Sequence, residues 1–131
     1  MSPIPSISPV LFYADLAVAA AWLEQAFAFT ERRDERVVGD DGSVLHAELS
    51  FGDGMVILST TYPPFAIPEE GKAPQHCLYV SVDDAGEHLA RARSAGALIT
   101  SELRDTDYGA RVYSAQDPGG HHWIFAETLT E

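Results

Sequence analysis

The chain has 131 residues, 20 of them acidic and 8 basic, for a formal charge of −12 at neutral pH. That balance excludes the clustered Lys and Arg of a nucleic-acid binder and disfavours an anionic membrane surface, while a neutral or cationic ligand is tolerated. Hydrophobic residues at 46% and charged residues at 21% are the proportions of a folded globule, and the length suits a single domain over residues 1–131.

Residues 7–13 form a short apolar run that reads as a buried strand once past Pro9. Asp15 is placed to cap the next helix, in which Leu16, Ala19, Ala20, Leu23 and Phe27 fall on one face at helical spacing. Residues 29–38 read as a strand that turns polar and exposed, crowded with Glu31, Arg32, Arg33, Asp34, Glu35 and Arg36. Asp40-Asp41-Gly42 signals a hairpin turn, residues 44–51 alternate as a half-buried strand, and Gly52-Asp53-Gly54 turns the chain into residues 55–59.

Residues 60–74 carry four prolines and Gly71 and read as a linker, made partly apolar by Pro63, Pro64, Phe65 and Ile67. A strand is expected over residues 78–82. Asp84-Ala85-Gly86-Glu87 then matches a capping box, Leu89, Ala92 and Arg93 continue the helix, and Gly96 supplies a left-handed stop. Residues 97–103, 110–115 and 122–127 complete the strands. Each half is thus strand, helix, three strands. Asp15 matches Asp83, Gly42 matches Gly109 and Gly54 matches Gly120, an offset of about 67 residues that marks two copies of one module.

Cys77 is the single cysteine, so no intramolecular disulfide forms and a reducing compartment is permitted. Residues 1–6 lack a basic segment leading into an apolar run, and no stretch approaches the length of a membrane span. A cytoplasmic location is expected.

The C-terminal stretch Asp107-Tyr108-Gly109-Ala110-Arg111-Val112-Tyr113-Ser114-Ala115-Gln116-Asp117-Pro118-Gly119-Gly120-His121-His122-Trp123 is similar to a tyrosine-glycine strand joined to an aspartate-proline-x-glycine hairpin. Together with Leu11-Phe12-Tyr13-Ala14-Asp15, His46-Ala47-Glu48-Leu49, Gly52-Asp53-Gly54 and Tyr79-Val80-Ser81-Val82-Asp83-Asp84, it resembles the vicinal oxygen chelate superfamily. That group includes glyoxalase I, extradiol dioxygenases, fosfomycin-resistance enzymes and bleomycin-resistance proteins. The resemblance implies an α+β fold of two βαβββ modules, residues 7–60 and 75–128 joined by a linker at 61–74, whose eight strands form an open, cup-like mixed sheet. It also implies a homodimer.

Metal-dependent members of that superfamily place one ligand on each of four inward strand positions. By resemblance these fall on Ser8, Glu48, Cys77 and Ile124, of which only Glu48 is an expected ligand. Ile124 offers no donor, so no metal cofactor is expected. The alternative is a rearranged divalent-metal site: His46 and Glu48 share a sheet face by alternation, and His122 shares one with Ile124, while His121 points the other way. The blander alternative is that His46 and His122 hydrogen-bond within a polar pocket.

Cys77 is a nucleophile if a histidine activates it, but His76 points to the opposite face, and a small buried hydrophobe is the favoured role. Glu48 is open to three readings: a general base, a partner for a cationic ligand, or a salt-bridge partner of Arg111. Phe12, Tyr79 and Tyr113 offer stacking surfaces, whereas Trp123 and Phe125 should point outward to a helix and Trp22 should pack on the sheet. The candidate ligand-binding set is therefore Phe12, His46, Glu48, Cys77, Tyr79, Arg111, Tyr113 and His122. The expected function is metal-independent binding or sequestration of a small aromatic or cationic molecule. A metal-dependent lyase, isomerase or dioxygenase on His46, Glu48 and His122 is the alternative, and a partner domain with an empty cup is a third.

Overall fold

A computed structural model describes residues 4–129. The chain divides into two compact units, residues 1–67 and 68–131, so the division falls inside the proline-rich stretch.

The first unit comprises β1 (Val10–Phe12), α1 (Leu16–Phe27), β2 (Thr30–Glu31), a 3-10 turn (Arg33–Glu35), β3 (Val37–Val38), β4 (Val44–Phe51) and β5 (Gly54–Ser59). Strand order is β1-β5-β4-β2, with β3 also on β4; β1 runs parallel to β5 and the remaining pairs are antiparallel. Asp15 caps α1, its Oδ1 accepting the Val18 N–H at 3.1 Å. Leu16, Ala20, Leu23, Ala26 and Phe27 are buried, at the spacing that lays one helical stripe on a sheet. Trp22 is half-buried, its ring centroid 4.9 Å from that of Phe27. The helix stops at Ala28, whose φ of 68° is a left-handed conformation on a residue that is not glycine.

The single strand expected over residues 29–38 is not formed. The 3-10 turn divides it into two strands of two residues each. Two ionic features account for the break. Glu31, with no side-chain exposure, takes a bidentate pair from Arg36 at 2.5 and 2.9 Å, and the Glu31 N–H is held by Glu24 at 2.9 Å. Pulling Arg36 back onto Glu31 requires a bend, which the Arg33–Glu35 turn provides.

The second unit repeats the plan with β6 (Leu78–Ser81), α2 (Ala85–Ser94), β7 (Leu98–Asp105), β8 (Ala110–Gln116) and β9 (His122–Thr128), in the order β6-β9-β8-β7 with β6 parallel to β9. Asp84 caps α2 by accepting the Glu87 N–H at 3.0 Å. Gly96, at φ 90°, lies just past the helix. Trp123 and Phe125 are fully buried, and Phe125 packs against His88 of α2 with ring centroids 4.2 Å apart, so both face the helix as alternation requires. Asp117 is buried as a structural anchor: Oδ1 accepts the His121 N–H at 3.0 Å and Oδ2 the Trp123 Nε1–H at 3.1 Å.

The architecture is therefore α+β, with two helices and nine strands in two mixed sheets of five and four among the described residues. The count exceeds the expected eight because of the divided β2 and β3. Among the described residues, no helix is long and apolar enough to cross a membrane.

Candidate functional site

Alternation along β4 sorts its side chains. Ala47 and Leu49 are fully buried and face α1, whereas His46, Glu48 and Ser50 stand on the opposite, helix-free face. Register extends that face across the sheet. His46 lies opposite Ser59 and so in line with Phe12; Glu48 lies opposite Ile57 and in line with Val10; Ser50 lies opposite Met55.

Glu48 is the centre of this face. Its Oε2 lies 2.9 Å from His46 Nε2, and its Oε1 lies 3.3 Å from Arg32 Nη1. Arg32 reaches it because the pairing of β2 with β4 continues one residue further, the Arg32 N–H donating to the Glu48 carbonyl at 2.8 Å. The same Nη1 donates to Met55 Sδ at 3.0 Å. The Arg32 and Glu48 side chains are only 16% and 13% exposed, so the two opposite charges face each other largely out of water.

Three buried side-chain atoms lack a hydrogen-bond partner among the described residues: Arg32 Nη2, Glu48 Oε1 and Ser8 Oγ. All three belong to the first unit. Of these three residues only Arg32 borders a cleft of about 250 Å³, lined by Pro5, Arg32, Ser50, Gly52, Asp53, Gly54 and Met55.

Aromatic rings flank the other side of the face. Phe65 stacks on Phe12 with centroids 5.2 Å apart and planes 7° apart, and Tyr62 meets both rings edge-on at 5.8 and 5.4 Å. Phe12 is 9% exposed, while Tyr62 and Phe65 remain half open to solvent. The Phe65 N–H donates to the Tyr62 carbonyl at 2.8 Å, closing the turn that carries both rings.

Of the expected site residues, the structure brings Phe12, His46 and Glu48 onto one face of the first unit. Tyr79, His122 and Ile124 lie on the helix-free face of the second, with Tyr79 opposite Ile124 and His122 opposite Gln116. Ile124 packs there against Ala110, Val112 and Ala126. Tyr79 is exposed, and its phenol is pushed up from the usual tyrosine value by desolvation and by a hydrogen bond with Tyr108.

Three expectations need correction. Cys77 is exposed rather than a buried hydrophobe, because β6 begins only at Leu78 and Cys77 sits in the irregular chain before it. Tyr113 faces α2: it pairs with Phe125, is fully buried, and its hydroxyl meets His88 Nδ1 at 2.5 Å. Burial raises its pKa well above the usual tyrosine range. Arg111 shares that side of β8 and is held by Asp105 at 2.8 and 3.3 Å; the cation on Glu48 is Arg32. Arg32, Tyr62 and Phe65 are the residues that sequence reasoning missed. The place of Arg32 follows from the β2–β4 register, which sets Thr30 opposite Ser50 and so carries Arg32 to Glu48 on the same face.

Among the described residues, no group of three or more His, Cys, Asp or Glu side chains is arranged to hold a metal ion.

Comparison with known proteins places this geometry. Residues 6–125 match the family model described as the Glyoxalase/Bleomycin resistance protein/Dioxygenase superfamily. An uncharacterized protein of Mycobacterium bovis is 30% identical over 97% of this chain and 86% of its own length, and one of Mycobacterium tuberculosis is 30% identical over 97% and 76%. Among solved structures, TioX from Micromonospora sp. ML1 aligns with a TM-score of 0.70 at 29% identity, covering 97% of this chain and 98% of that one. A glyoxalase/bleomycin resistance protein/dioxygenase family enzyme from Burkholderia phytofirmans aligns with a TM-score of 0.74 at 18% identity, over 92% and 95%, a likeness of fold alone.

Proposed function

Since the chain belongs to the Glyoxalase/Bleomycin resistance protein/Dioxygenase superfamily, we propose that it binds a small organic molecule without a metal ion, as a sequestering protein rather than a metalloenzyme. The observation that carries this reading is the Arg32–Glu48 pair. Glu48 is the one expected ligand among the four positions where metal-dependent relatives are expected to coordinate, and its carboxylate already faces a guanidinium at 3.3 Å. A divalent cation placed there meets a fixed positive charge in a largely desolvated setting, a repulsion of several kcal/mol, on the order of 332/(εr) for charges a few Å apart at intermediate dielectric. Histidine offers no relief, because His46 Nε2 is engaged with the other carboxylate oxygen. The residues present therefore do not suit the metal, and Arg32 takes over the neutralising charge that an ion supplies elsewhere.

The ligand's apolar part is assigned to the ring cluster of Phe12, Tyr62 and Phe65, which offers stacking surface beside the polar pair. Dimerisation belongs to the same reading, and a molar mass in solution twice that of the chain is its expected outcome, a single-chain mass its refutation. The test of binding is a thermal-shift screen of aromatic small molecules on protein stripped of metal by a chelator. Ligands that raise the melting temperature of the stripped protein are expected. Shifts that appear only after Fe, Zn, Ni or Mn is restored overturn the reading.

A further inference from the structure

The three clustered rings of the first unit are held by unequal means. Phe12 belongs to β1, which pairs with β5 through Val10, Leu11 and Phe12, so its ring is fixed to the sheet. Tyr62 and Phe65 belong to residues 60–77, which form neither helix nor strand. Their turn is closed by its own bond, Phe65 N–H to the Tyr62 carbonyl at 2.8 Å, and it meets Phe12 through ring faces and edges. Tyr62 and Phe65 are 53% and 50% exposed, whereas Phe12 beneath them is 9% exposed. Phe65 lies parallel on Phe12, planes 7° and centroids 5.2 Å apart, the stacked arrangement that any free aromatic ring also prefers.

Position decides what that cover blocks. Phe12 lies opposite Ser59, and Ser59 opposite His46, so a ring on Phe12 stands beside the strip that carries His46 and Glu48. A ring on the outer face of Phe65 is one layer further from those polar groups. A ligand that uses both the rings and the polar strip therefore needs the place that Phe65 holds. We propose that Phe65 is an internal stand-in for a planar aromatic ligand ring: the ligand stacks on Phe12, and the Tyr62–Phe65 turn swings out to admit it. This rests on the small-molecule reading above and names the ligand's anchoring group and its way in. The exchange trades one stack for another, so the apparent affinity is the intrinsic one multiplied by the fraction of molecules with the turn open. A saturated ring has neither the flat face nor the quadrupole that the exchange requires.

The test is an NMR titration of the isotope-labelled full chain with benzyl alcohol and cyclohexylmethanol, in the wild type and in Phe65→Ala. Benzyl alcohol is expected to bind Phe65→Ala about two- to tenfold tighter than the wild type, the factor that release of one stacked pair gives. Cyclohexylmethanol, which cannot stack, is expected to bind both proteins more weakly than benzyl alcohol, by about threefold. In the wild type saturated with benzyl alcohol, the Overhauser contacts between Phe12 and Phe65 should vanish and contacts from the benzyl ring to Phe12 should replace them. Equal or weaker binding to Phe65→Ala, or Phe12–Phe65 contacts that persist at saturation, makes Phe65 a fixed wall. Either result overturns this proposal and leaves the small-molecule reading standing, as does equal binding of the saturated ring. Failure of both probes to perturb any residue of the first unit, in either protein, refutes both.

Discussion

Replacing Arg32 with methionine keeps an unbranched apolar stem over Met55 but removes the charge facing Glu48. For a fully buried pair, loss of one partner costs about 3–5 kcal/mol because the other charge is left uncompensated. Here the side chains are 16% and 13% exposed, and His46 still contacts Oε2, so screening lowers the expected cost to about 2 kcal/mol. Glu48→Leu strands the guanidinium in the same way and should cost a similar amount. The double variant removes both charges together and should lose at most about 1 kcal/mol, since apolar replacement of a buried pair is often close to neutral. Urea unfolding of the four proteins, monitored by circular dichroism, therefore predicts a coupling energy of about 3 kcal/mol between the two sites. Additivity of the single losses to within about 0.5 kcal/mol refutes the pair as an energetic unit, and with it the idea that Arg32 stands in for an ion.

The geometry predicts three further outcomes. Burial holds the Tyr113 phenol above its unfolded value, so its contribution is complete below about pH 10 and is lost as pH rises beyond; in an ultraviolet titration a Tyr113→Phe variant should lose a phenol that ionises above the usual tyrosine range, together with unfolding, and loss of one that ionises within that range contradicts its burial. The Arg111 hydrogen bond holds the Asp105 carboxyl below the usual aspartate value, so the stability it adds is present above about pH 4 and disappears as pH falls through the lowered pKa; NMR should show that depression and its removal in Arg111→Met, whereas an unchanged titration refutes the pair. Phe65→Ala removes the ring stacked on Phe12, and a loss of about 1 kcal/mol in urea is expected; an unchanged midpoint contradicts a persistent stack.

Most of the frame was legible because it is periodic. The two-residue alternation of β4 and β9 placed His46 with Glu48 and sent Trp123 and Phe125 to the helix, and the capping positions Asp15 and Asp84 stood out because each directly precedes a stretch at helical spacing. The site's key cation was hidden for the opposite reason. Arg32 lies in a run of six charged residues, flanked by strands too short to alternate and a turn with no apolar period. Glu31, its neighbour in that run, is fully buried, which no hydropathy pattern signals. Tyr113 was within reach: once Phe125 is assigned to the helix face, its hairpin partner must share that face. Ala28 was not, since a left-handed helix stop ordinarily advertises itself as glycine or asparagine.

The claim that a guanidinium substitutes for a metal is tested most directly by elemental analysis of the wild-type chain purified without chelator. The account predicts only background levels of Fe, Zn, Ni and Mn, with no change in melting temperature on adding a chelator. One equivalent of any of these metals per chain, lost together with stability when chelator is added, contradicts it.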